Sequence, residues 1–282
     1  MENLEGKDLR FIEDAVKLLE RPSFLVKVSG YLGRPIVYVA EKLPQRAQAL
    51  IQRGVDKALT SGLRLAVQSM SHEDAVELPS SVAAAKKWAH TITAMGFGAA
   101  SGFAGGWTLA VELPLTTTLI MRSIASMAQA SGFDPRDPQT ALEILTVFAY
   151  GSPGSKMDND SDASFYIQRA ALDVLIRDGA TFIAGKSATQ VMKAIESGGA
   201  PRLIELLAKV AVRLNVIAGE KFLAQSLPLL GAAGGAVING MFNDYYSNIA
   251  YYAFGLKRLE ARYGQAVVRS AYELAAKRLP RA

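Results

Sequence analysis

Glu112, Leu113 and Pro114 stand between two apolar blocks, followed by Thr116, Thr117, Thr118 and Arg122. A carboxylate in an apolar setting must find a partner or take up a proton. Pro114 disfavours helical geometry at Leu113, so a kink or helix break is expected beside the acid. Two readings of Glu112 follow. Either it is buried and held by Arg122 or by freed backbone amides, or it meets a ligand or handles a proton. Other patterns that could carry chemistry fail to complete themselves. Gly185-Lys186-Ser187 has Ala180 where a phosphate loop needs glycine, and no strand precedes it. His72-Glu73 opens a zinc-protease pattern, but Val76 occupies the second histidine position and His90 lies 18 residues from His72. Neither histidine has a triad arrangement, and no Gly-x-Ser-x-Gly elbow occurs. Arg169, Asp173 and Arg177 recur at i,i+4 spacing, which reads as a salt-bridged helix face. The absence of Cys excludes disulfides, thiolate zinc sites, iron–sulfur clusters and Cys nucleophiles. No catalytic residue, cofactor or metal is expected.

The elements that must position these residues read almost entirely at helical period. A first helix is predicted from about Asp8, with Leu9, Ile12, Val16 and Leu19 on one face and Pro22 stopping it. Phe24 to Leu43 is a second apolar stretch, broken by Gly30, Gly33 and Pro35. A helix after Pro44 should bury Leu50, Ile51, Ala58 and Leu59 while Arg46, Arg53, Lys57 and Arg64 face out. Met70 to Pro79 reads as a polar linker and Ser80 as a helix cap. Asp134-Pro135-Arg136-Asp137-Pro138 is a turn feeding a helix over about 139–150. Residues 151–162 read as a mobile loop. Helices are predicted over 164–177, 180–196 and 201–219, the last with Glu205 and Lys209 in the favourable i,i+4 order. The fold class is all-α, a single helical domain over 8–280 with two central Gly-rich apolar helical segments. Its 282 residues, 50% hydrophobic and 20% charged, suffice for a large buried core and exclude a disordered chain.

Those two segments carry no charge: Thr91 to Val111 over 21 residues and Phe222 to Asn243 over 22. Either is long enough to cross a bilayer, which takes about 20 apolar residues. Both are rich in glycine, with Gly98, Gly102 and Gly106 in one and Gly231 and Gly235 in the other at four-residue spacing. Such spacing lets helix backbones approach closely, in lipid or in a water-soluble core. Membrane insertion and burial both remain open at this level.

Charge is unevenly placed. The formal net charge is +5. The segment from Tyr251 to Ala282 accounts for all of it, with Lys257, Arg258, Arg262, Arg269, Lys277, Arg278 and Arg281 against Glu260 and Glu273. An excess confined to one C-terminal segment, not spread as a basic stripe, does not point to nucleic acid. It reads as a solvated amphipathic helix, or as a contact for anionic lipid headgroups or an acidic partner. The acidic start, Met1-Glu2-Asn3-Leu4-Glu5, lacks the features of a secretory signal, so a cytoplasmic protein is expected, peripheral to or partly inserted in the inner membrane.

The run from Gly105-Gly106-Trp107 through Glu112-Leu113-Pro114 to Arg122 resembles the bacterial EcsC family. So do Ala180–Ser187, Pro228–Ala232, Gly235–Asn239, the Gly231–Asp244 run and Leu259–Gly264. The resemblance covers about residues 8 to 280. Its namesake is encoded beside the subunits of an ABC transporter, which implies membrane-linked work without a defined activity. Some members carry a peptidase label, which no nucleophile–base pair or metal set in this sequence supports.

The expectation is therefore a non-enzymatic, membrane-associated protein that binds phospholipid, fatty acid or another long apolar ligand in a helical cavity. Phe97, Phe103, Trp107 and Leu109 would line it with Leu229, Val237, Ile238 and Phe242. Glu112, Arg122, Asn239 and Asp244 would supply the polar contacts that orient a ligand. Lys277, Arg278 and Arg281 would face an anionic membrane surface. An adaptor for a membrane transporter, without bound lipid, is the alternative. A lipid or peptide hydrolase using Glu112 or Asp244 as base is the third.

Overall fold

The sequence of apolar residues three and four apart sets the first helix, α1 (Gly6–Leu19), which buries Ile12, Ala15, Val16 and Leu19. Leu9, expected on that face, is 42% exposed. Asp8 is buried in its place because the Tyr263 hydroxyl donates to its Oδ2 at 2.8 Å. This computed structural model describes residues 4–20, 24, 28, 43–70, 109–150, 164–225 and 231–279. The expected stretch 24–43 lies largely outside them. The Met70–Pro79 linker beyond its first residue, Ser80, both histidines and the loop 151–162 lie wholly outside.

Helix α2 (Gln45–Ser69) follows Pro44 and turns Arg46, Arg53, Lys57 and Arg64 outward, as their spacing predicts. Ile51, Ala58 and Leu59 are buried and Leu50 is half-buried. A Cβ at Gly62 would lie 2.8 Å from Met121 Sδ, so α2 packs tightly on the next helix there.

Helix α3 (Leu109–Ala130) runs through Pro114 without the expected break. Proline removes one ladder bond, yet the flanking backbone is held by tertiary contact with α2. The Thr116 and Thr118 hydroxyls also donate back to the carbonyls of Glu112 and Pro114, at 2.6 and 3.0 Å. Helix α4 (Pro138–Thr146) begins where the Asp-Pro turn predicts. Asp137 caps it, its Oδ2 accepting the Thr140 N–H at 2.8 Å, and a 3₁₀ turn (Val147–Ala149) follows.

Helices α5 (Ser164–Ile183) and α6 (Ala188–Glu196) divide the predicted helix over 180–196. Gly185 adopts φ +70°, which ends α5. Ser187 and Gln190 then form a reciprocal capping box that starts α6. The Gly-Lys-Ser run is thus a helix stop and start. Helix α7 (Pro201–Gln225) buries Leu203, Leu206, Val210, Leu214 and Ile217. Helix α8 (Gly231–Tyr263) is 33 residues long, about 50 Å at the usual rise per residue. Gly264, at φ +88°, turns the chain into α9 (Gln265–Lys277).

No strand occurs among the described residues, and the fold is all-α. Helix α3 packs between α2 and α8; α7 lies on α2 and α5, and α4 bridges α2 and α5. Helices α1 and α9 pack on each other and on α8. The Glu20 carboxylate closes this corner: it accepts from the Tyr272 hydroxyl at 2.7 Å and the Phe165 N–H at 3.2 Å. Around α8 an aromatic cluster of Phe24, Phe148, Phe242, Tyr245 and Tyr246 meets largely edge to face.

Candidate functional site

The first turns of α3 are apolar on two sides. Leu109 and Leu113 point into the core and are fully buried, whereas Val111 is 71% and Leu115 46% exposed. Between them Glu112 turns inward. The Lys221 ammonium of α7 donates to Glu112 Oε1 at 2.6 Å, and the two side chains are 0% (Lys221) and 3% (Glu112) exposed. The same ammonium sits 4.7 Å from the centre of the Phe242 ring of α8. Burial pulls the Lys221 pKa below its ordinary value, outweighing the opposing pull of Glu112.

Of the partners expected for Glu112, Arg122 or freed backbone amides, Arg122 is not the one that pairs with it. Arg122 is exposed and makes no ion pair among the described residues. It sits ten residues along α3, about 15 Å of helix rise from Glu112. The true partner stands 109 residues away in sequence. Its only local signal is that Lys221 is the last charge before the uncharged stretch beginning at Phe222.

A polar stripe on α8 faces the same interior. Asn239, Asn243, Tyr246 and Ser247 recur at helical spacing and are all buried. Ser123 of α3 donates to Asn243 Oδ1 at 3.2 Å. The Thr117 hydroxyl and the Tyr246 phenol are sealed and have no hydrogen-bond partner among the described residues. The stripe is legible in the sequence as the polar complement to Phe242, Tyr245 and Ile249, although only Asn239 of it is among the expected ligand contacts. Among the other expected residues, Leu109, Ile238 and Phe242 are buried and Val237 is half-buried. Asp244 is half-buried and accepts from Asn248 at 3.0 Å. Phe97, Phe103, Trp107, Leu229 and Arg281 lie outside the described residues.

A second charged cluster joins α4, α5 and α8. Arg169 grips Glu260 with two bonds of 2.9 and 2.7 Å, and the Tyr166 hydroxyl donates to the same carboxylate at 2.7 Å. Lys257 donates to Glu143 at 2.6 Å. The expected Arg169–Asp173–Arg177 ladder does not form. Arg169 crosses to α8, and Arg177 reaches only the Asp173 backbone carbonyl at 3.4 Å. Burial raises the Asp173 carboxyl pKa, with Arg169 opposing the shift. The cleft among these groups has a volume of about 30 Å³, room for a water molecule. Its charges serve to hold three helices together.

The geometry is that of a helical bundle with a sealed ion pair, and one further observation assigns it. The model of the EcsC protein family matches residues 13–259. The chain belongs to the EcsC protein family. The match takes in the second half of α1, all of α2 to α7 and most of α8, while α9 lies beyond it. No curated protein and no solved structure matches the chain. In this EcsC chain no helix among the described residues is long and apolar enough to cross a membrane. The uncharged run 222–243 is shared between the end of α7 and the start of α8. No group of three or more His, Asp or Glu suited to a metal ion occurs among the described residues.

Proposed function

We propose that this EcsC protein is a non-enzymatic, membrane-associated binding protein that holds a lipid or another long apolar ligand. One observation carries the reading: α3 exposes Val111 and Leu115 on its outer side while sealing Glu112 and Lys221 on its inner side. Large apolar side chains exposed on the outer side of a helix belong against lipid or an apolar ligand. The Glu112–Lys221 pair then fixes α3 to α7 so that the apolar turn keeps its orientation. The uncharged sequence that leads into α3 supports the same reading.

An adaptor for a membrane protein such as a transporter is the second reading. The stripe Ile167, Ala170, Ala171 and Val174 favours it, because these residues form an exposed apolar face along α5.

Native mass spectrometry with lipid extraction, on protein purified without detergent, tests the choice. Near-stoichiometric phospholipid or fatty acid is expected. The Val111→Ser, Leu115→Ser double variant should float with phospholipid vesicles several-fold less than the unaltered chain. A lipid-free protein whose vesicle binding ignores both substitutions overturns the reading in favour of the adaptor.

A further inference from the structure

Arg122 lies apart from the Glu112–Lys221 pair and lines a separate cleft. This cleft opens between α2, α3, α4 and the turn that precedes α4, with a volume of about 100 Å³. Leu65, Met121, Ala125, Ala141 and Ile144 form its apolar wall. Two other lining groups, Ser69 and Pro135, offer no free donor to an anionic guest, because the Ser69 hydroxyl already donates to the carbonyls of Ala66 and Pro135, at 2.7 and 3.4 Å. Among the described lining side chains, the one open hydrogen-bond donor is the Arg122 guanidinium.

No acidic side chain among the described residues pairs with Arg122. Asp134 is gripped by Arg136 at 2.7 Å, which holds its carboxyl below the usual range. Asp137 is engaged in capping α4 through Thr140. None of the described lining residues is acidic. An exposed arginine without an ion pair, set beside an apolar hollow, asks for a ligand with the opposite design: one anionic end on an aliphatic body.

We infer that this cleft binds the carboxylate of a single-chain fatty acid, its first carbons resting against Met121, Ala125 and Ile144. The planar guanidinium matches a carboxylate in two parallel hydrogen bonds, a geometry that charge assistance strengthens. One cation suits one negative charge. An engineered apolar cavity of about 150 Å³ admits benzene, so a hollow of about 100 Å³ takes a few carbons of one chain and not the two chains of a phospholipid. The inference does not rest on membrane association, because a protein that ignores vesicles can still hold a fatty acid here.

Calorimetric titration of the full chain with octanoate, and with octanol as its uncharged counterpart, decides it. One octanoate site per chain should bind at least tenfold tighter than octanol and depend on Arg122. Arg122→Gln should weaken octanoate to the level of octanol, and Arg122→Lys should keep part of the difference. Ala125→Leu, which fills the hollow, should weaken both, with the helical circular-dichroism signal retained. The Val111→Ser, Leu115→Ser variant should leave the Arg122-dependent octanoate binding unchanged, so loss of vesicle binding and loss of this site are told apart. Absence of octanoate binding overturns the inference, as does binding that Arg122→Gln leaves as it was or that the Val111, Leu115 variant abolishes.

Discussion

Glu112 and Lys221 are each sealed from water, so each depends on the other to keep its charge. Replacing Lys221 by Met leaves a carboxylate without its cation in a medium that solvates it poorly, a change worth about 3–5 kcal/mol in comparable buried pairs. The urea midpoint should fall accordingly. Adding Glu112→Gln to that variant should recover most of the loss, because two uncharged side chains of similar volume need no desolvation. A double-mutant cycle in which the two substitutions simply add would show that the pair is not coupled. Glu112 was legible in the sequence because a lone acid in apolar surroundings is conspicuous. Lys221 was not, because pairing across 109 residues leaves no local trace. Arg122, nearer in sequence, proved to face another way: ten residues along a helix bring a side chain to a different face.

Among the elements, helical period carried most of the reading, and the exceptions have specific causes. The split between α5 and α6 turns on a single backbone angle at Gly185, which no apolar periodicity reports. The unbroken course of α3 through Pro114 reflects packing that outweighs a local preference. The docking of α1 on α8 rests on a feature of the same kind. The Phe11 ring lies over Gly255, closer than any Cβ could tolerate, and contacts Tyr251 and Tyr252 with ring centres 5.5 and 5.2 Å away. Gly255→Ala should therefore force the ring aside and lower stability by about 1–3 kcal/mol, the usual range for overpacking. Phe11→Leu combined with Gly255→Ala should be more stable than Gly255→Ala alone; thermal melts of the three proteins would show otherwise if α1 docks by different contacts.

For the whole molecule, the basic excess after Tyr251 divides into two kinds of charge. Lys257, Arg262 and Arg269 are engaged internally, with Glu143, Glu5 and Glu273. Arg258, Lys277 and Arg278 are exposed and without an ion pair among the described residues, the last two at the end of α9. Reversing Lys277, Arg278 and Arg281 to Glu should weaken binding to anionic vesicles most at low salt. At an ionic strength of 0.1 M the screening length is already about 10 Å. Vesicle flotation that is equal for both proteins at low salt would remove the basic tail from any membrane contact. The all-α class was plain from the sequence, since no alternation of period two interrupts the helical one. Which helices meet was not, because α1 and α9 come together only through side chains at opposite ends of the chain.

That meeting sets a condition on how the protein is made. Glu20 waits for the hydroxyl of Tyr272, 252 residues later. Asp8 and Glu5 likewise wait for Tyr263 and Arg262. At the usual pace of translation, about 5–20 residues per second, α1 spends roughly 13–50 seconds outside the ribosome before its partners have been synthesised. Its apolar face, with Ile12, Val16 and Leu19, is uncovered throughout that interval. Those contacts between α1 and the end of α8 and α9 can form only after both helices have been made.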